Sequence, residues 1–122
     1  MENRILVVSK SPVVASMIQV VMAQHQTAHS ASLESALNHL ETQAQEPQLV
    51  IVEDRFVAHQ GAALKVLALT YPHIPVLAMM SRLDRAWEQC LAHAGATACF
   101  YGSFTEDRKL KRTIAKMIGS KP

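Results

Sequence analysis

The sequence predicts an α/β domain with a parallel five-stranded sheet, doubly wound, carrying helices on both faces. Three observations lead there. Short apolar, β-branched runs stand at residues 5–8, 49–52, 74–79 and 98–101, and runs of this kind suit strands buried on both faces. Stretches with apolar residues at helical spacing separate them. Finally, 49% of the 122 residues are apolar, enough for one compact core at a length normal for a single domain. A β–α unit repeated five times gives a parallel sheet with right-handed crossovers.

The elements follow in order. The first strand, in Arg4-Ile5-Leu6-Val7-Val8, runs into Ser11 and Pro12, a good helix N-cap followed by a residue suited to the first helical position. Val14, Met17, Ile18 and Val21 fall on one face of that helix. Residues 27–31 must be the second strand if the alternation holds, although His29 and Ser30 are poor strand formers, so a short edge strand is expected. A second helix starts near Ser32, with Leu33, Ala36, Leu37 and Leu40 inward. After the third strand, a helix over residues 61–70 turns Leu64, Leu67 and Ala68 to the core. A fourth helix over residues 82–94 does the same with Leu83, Trp87, Cys90 and Leu91. The last helix starts near Thr105 and buries Leu110, Ile114, Met117 and Ile118. Gly119 reads as its C-cap. Residues 1–122 therefore form one domain, with 119–122 as a tail or the start of a linker to a further domain after Pro122.

The formal net charge is +2, so no strong overall field argues for nucleic acid. Basic residues do crowd the last segment: Arg108, Lys109, Lys111, Arg112, Lys116 and Lys121. A solvated helix face is the ordinary meaning of such a run; an acidic partner surface or weak, unspecific DNA contact is the alternative. The two cysteines, Cys90 and Cys99, form no C-x-x-C or Cys/His pattern, so two reduced thiols in or near the core are expected. The six histidines share no face, so neither a metal site nor a cofactor is expected. No signal peptide and no apolar run of membrane-spanning length is visible, which leads to an expectation of a soluble, cytoplasmic protein without membrane contact.

In an open α/β sheet, ligands sit at the carboxyl ends of the strands. The first strand ends in Ser9, Lys10 and Ser11, the third in Glu53 and Asp54, the fourth in Met80 and Ser81, and the fifth in Gly102, Ser103 and Phe104.

At these positions the sequence resembles the receiver domain of bacterial response regulators, the CheY-like family, over nearly its whole length. "ILVVSKSP" resembles the family's first strand, "PQLVIVEDRF" its third, "IPVLAMMS" its fourth, and "GATACFYGSF" its fifth with the following loop. Gly61 stands where the third helix of the family commonly has a glycine. The resemblance implies a flavodoxin-like sheet of strand order 2-1-3-4-5. The functional positions depart from the family. Ser9 and Lys10 replace the acidic pair that holds Mg²⁺, and Glu53 takes the place of the phosphorylated aspartate. Met80 replaces the hydroxyl residue, with Ser81 beside it; Gly102 replaces the lysine, Ser103 the following proline and Cys99 the aromatic switch residue. The chain thus resembles a pseudo-receiver, with Ser9, Lys10, Glu53, Asp54, Met80, Ser81 and Gly102 forming a degenerate phosphorylation site.

Charge arithmetic agrees with that reading. Phosphoryl transfer to a carboxylate builds negative charge beside an anion, which a divalent metal and a lysine normally neutralise. Mg²⁺ wants hard oxygen ligands, whereas the first strand offers a hydroxyl and an ammonium. Lys10 facing Glu53 would form an ion pair in the space of metal and phosphoaspartate; alternatively both point to solvent, where such pairs are worth about 0–1 kcal/mol. Asp54 becomes an acceptor if the register shifts by one residue, but strand alternation turns it away from the site.

The expected function is a non-catalytic interaction or dimerisation module in bacterial signal transduction or transcription regulation. By resemblance, its partner surface is the face made by the fourth helix, fifth strand and fifth helix, with Arg82, Arg85, Trp87, Tyr101, Lys109 and Arg112 as contacts. The alternatives are a phosphorylatable receiver using Asp54 or Glu53, and a small α/β enzyme using the same crevice.

Overall fold

A computed structural model describes residues 4–23, 26–42, 46–80, 83–101 and 107–119. Five strands and five helices alternate: β1 (Arg4–Val8), α1 (Pro12–Val21), β2 (Gln26–Ser30), α2 (Leu33–Thr42), β3 (Leu49–Glu53), α3 (Asp54–Thr70), β4 (Val76–Met80), α4 (Arg85–Ala94), β5 (Ala98–Tyr101) and α5 (Asp107–Gly119). All strand pairs are parallel, in the order β2-β1-β3-β4-β5. Both the sheet order and the doubly wound architecture match the expectation from sequence.

Strand alternation splits the core in two. Leu6, Val8, Val50, Val52, Val76, Ala78 and Met80 pack with Leu33, Ala36 and Leu40 of α2, Leu64 and Leu67 of α3, and Leu91 of α4. Ile5, Val7, Leu49, Ile51, Leu77 and Phe100 pack on the opposite side with Ile18 of α1 and Leu110 and Ile114 of α5. β3 is central and buried on both faces, so its run Leu-Val-Ile-Val carries no polar alternation. β2 is an edge strand, and its exposed Gln26 and His29 fit that place.

The expected starts of two helices need correction. α3 begins at Asp54, not near residue 61, because an acidic residue in the first turn favours a helix start directly at the strand end. α4 begins at Arg85: the Asp84 carboxylate accepts the backbone N–H groups of Ala86 and Trp87 at 3.0 and 3.2 Å and so caps the helix later than the apolar spacing suggests. As a result Leu83, ahead of the helix, is 73% exposed, and Cys90 lies on the outer face. Ser11 does occupy the N-cap of α1, but its side chain makes no capping bond. The expected start of α5 near Thr105 falls outside the described residues, as does the tail beyond Gly119.

Gly95 ends α4 with φ +126°. A Cβ there would stand 2.8 Å from the Ala68 Cβ, so both the left-handed turn and the approach of α4 to α3 require glycine.

Candidate functional site

The carboxyl ends of β1 and β3 bring Ser9 and Glu53 together, with Asp54 next in the chain as the first residue of α3. Ser9 is wholly buried, held where β1 passes between β2 and β3 by its backbone N–H donating to the Ser30 carbonyl at 3.0 Å. Its hydroxyl donates to the Glu53 Oε1 in a close hydrogen bond. The Ser9 Oγ also accepts the Ser11 N–H at 3.0 Å, and the Ser11 carbonyl lies 3.1 Å from it. His29, from the neighbouring edge strand, donates from Nε2 to the Ser9 carbonyl at 2.6 Å. Ser9 is therefore the centre of a small polar knot in which each group has a partner.

Glu53 ends β3 with its side chain only 15% exposed, and its other carboxylate oxygen lies 3.6 Å from Arg55 Nε. Arg55 is largely exposed, so this pair adds little energy. The expected Lys10–Glu53 pair does not form: Lys10 is exposed, and the cation beside Glu53 is Arg55. The reason is steric order along the strand. Ser9, the shorter residue, points inward at the strand end, and alternation turns Lys10 outward.

Asp54 is 5% exposed. As the first residue of α3 it sits where the helix dipole favours an anion. Its Oδ2 accepts the Trp87 indole N–H at 2.9 Å. Trp87, in the first turn of α4 and packed on the buried core, thereby ties the start of α4 to the start of α3. Helical spacing turns Trp87 to the core, as found, while the resemblance puts it on the partner face; Asp54 is named among the site residues, with strand alternation turning it aside. The residues were legible but their link was not, because it joins positions 33 apart.

The other site residues are distributed as follows. Met80, at the end of β4, is buried in the core. Ser81, Arg82, Gly102, Ser103 and Phe104 lie outside the described residues. Cys99 on β5 is half-buried, and burial, with a smaller contribution from the Glu88 carboxylate, pushes its thiol up. Of the predicted partner surface, Arg85, Tyr101, Lys109 and Arg112 are exposed, whereas Trp87 is turned inward. Among the described residues, no cluster of three or more His, Cys, Asp or Glu side chains could hold a metal, and no helix is long and apolar enough to cross a membrane.

This architecture is the receiver fold. It superposes on a response regulator from Thermotoga maritima with a TM-score of 0.86, at 15% identity over 98% of this chain and 99% of that one. A CheY-like protein, tadZ, from Pseudomonas aeruginosa PAO1 matches with a TM-score of 0.75, at 22% identity over 100% and 98%. A pilus assembly-related protein from Burkholderia pseudomallei K96243 matches with a TM-score of 0.82, at 12% identity over 98% and 92%. No protein-family model and no curated protein sequence matches the chain.

Proposed function

We propose that the chain is a receiver-fold interaction module of bacterial signal transduction or transcription control whose output is not switched by aspartate phosphorylation. One observation carries the reading. The carboxylate at the acceptor position, Glu53, is engaged by the buried hydroxyl of Ser9, where the resemblance puts a metal-binding acid. A hydroxyl donor beside a carboxylate satisfies it without a cation, so the site has a resting structure in the absence of any ligand. The neighbouring Asp54 is held through its Oδ2 by Trp87.

In this reading the module works by docking. Arg85, Tyr101, Lys109 and Arg112 are exposed and supply the cationic and aromatic groups of a partner surface on α4, β5 and α5, either for another protein or for a second copy. The likeness to a pilus assembly-related protein offers one cellular process in which to seek that partner.

Amide NMR spectra recorded with Mg²⁺, and then with beryllium fluoride as a phosphoryl mimic, test the proposal. The expected result is no saturable shift at Ser9, Glu53 or Asp54. Shifts clustered there, together with a mass increase of one phosphoryl group after incubation with acetyl phosphate, would establish a working receiver. Mapping the modified peptide to Asp54 would then identify the acceptor.

A further inference from the structure

The opposite end of the sheet carries a second feature. A half-open pocket of about 180 Å³ lies at the amino ends of β1 and β2, lined among others by Arg4, Gln26, Ala28, Pro47 and His39 of α2. Arg4 and Gln26 are direct neighbours across the β1–β2 pair. Alternation with Leu6 and Val8 places Arg4 on the α2 side of the sheet, the side from which His39 closes the pocket.

The Arg4 Nε–H is buried and has no hydrogen-bond partner. No acidic side chain is among the residues lining the pocket, and neither ion pair found among the described residues involves Arg4. A guanidinium with its Nε–H buried and unmatched is an unusual state for a native fold. Its planar fork is suited to an oxyanion, and the His39 side chain, able to donate from its imidazole, lines the same space. The pocket has a volume of about 180 Å³. It is smaller than the usual drug-sized site and fits a small anion or the charged group of a larger one.

We infer that this pocket is a binding site for a small oxyanion, a carboxylate or phosphate group held by Arg4 and His39. It lies away from the Ser9–Glu53 crevice and does not depend on the function proposed for it.

The test is an NMR titration of the whole chain, following the Arg4 Nε–H and the amides of Gln26, Ala28 and His39. The probes are inorganic phosphate and glycolate, each against sodium chloride at matched ionic strength. The expected result is a saturable shift confined to these groups with at least one of the two probes. Phosphate alone would identify a phosphate ligand, glycolate alone a carboxylate. Affinity should fall at least tenfold in Arg4→Gln and severalfold in His39→Ala; if Arg4→Gln does not fold, His39→Ala carries the same test. Shifts that do not saturate, that follow chloride equally, that spread over the basic face of α5, or that persist unchanged in the folded variants would overturn the inference and leave the pocket to water.

Discussion

The two ends of the sheet treat their polar groups in opposite ways. At the carboxyl end, Ser9 bonds Glu53, His29 bonds the Ser9 carbonyl, and Trp87 bonds Asp54. At the amino end, Arg4 Nε, Gln48 Oε1 and Thr27 Oγ1 are buried without partners, although the backbones of Arg4 and Gln48 are hydrogen-bonded to each other at 2.8 Å. The strands are the same and so is the main-chain pairing; the difference lies in the side chains alone. Open α/β sheets usually bind ligands at their carboxyl ends. Among the described residues that end is internally satisfied, while unmet hydrogen-bonding capacity is gathered at the other. A site that already satisfies itself gives up little on remaining empty, and one with orphaned donors gains from being filled.

The most severe disturbance of the carboxyl end is to put a second negative charge into it. Ser9→Asp would set a second carboxylate, fully buried, against Glu53. An uncompensated buried charge costs up to 3–5 kcal/mol, and partial protonation relieves some of it, so a loss of about 3 kcal/mol is expected by urea denaturation. Because paired carboxylates suit Mg²⁺, adding Mg²⁺ should restore part of the stability of this variant and leave the parent unchanged. An unaltered urea midpoint in the variant without Mg²⁺ would mean that the carboxyl end is open to water rather than closed.

Asp54→Ala comes next. It deletes a buried carboxylate and leaves the Trp87 indole N–H without its acceptor. Charged hydrogen bonds contribute about 1.5–3 kcal/mol, and an orphaned donor costs about 1–3, so a loss of about 2–3 kcal/mol is expected. Trp87 is the sole tryptophan, so its emission should shift as α4 loosens from α3. Asp54→Asn, which keeps an acceptor, should recover most of the loss. Equal stability of Asp54→Ala and the parent would show that the α3–α4 tie is not part of what closes this end. Ser9→Ala is milder: removing one hydroxyl from the knot should cost about 1 kcal/mol and release Glu53 toward Arg55.

The sequence made the fold legible because strand and helix periods differ and because β3 and β4 are apolar enough to belong in a sheet centre. It also made the letters of the crevice legible, since a residue after a buried strand must emerge at a sheet end. It did not reveal who bonds whom. Lys10 looked like the partner of Glu53 by charge, yet strand alternation gave that role to Ser9. Cys90 and Leu83 looked inward by spacing, yet the Asp84 cap set the start of α4 and left them outside. The amino-end pocket left no trace at all: Arg4, Gln26 and His39 are unremarkable letters on three elements, and only the register of β1 against β2 and the position of α2 bring them together.

The smallest effect is expected at the open end, where Arg4→Met separates the two ends most cleanly. Methionine keeps much of the apolar stem of arginine and removes the unmatched donor. Deleting a donor that has no protein partner forfeits no hydrogen bond, and replacing it with an apolar group of similar shape is near neutral or stabilising. The expected change is within about 0.5 kcal/mol, and a rise is as consistent with the argument as no change. The contrast with Asp54→Ala is the point: both remove a charged group with buried polar atoms, one with a partner and one without. A loss for Arg4→Met as large as that for Asp54→Ala would mean that Arg4 is already satisfied in solution, by water or by a bound anion carried through purification. Repeating the measurement after dialysis against chloride separates those two. A parent that loses stability on dialysis, down to the level of Arg4→Met, held an anion; one that does not was satisfied by solvent, and the two ends of the sheet would then differ less than their side-chain bonding suggests.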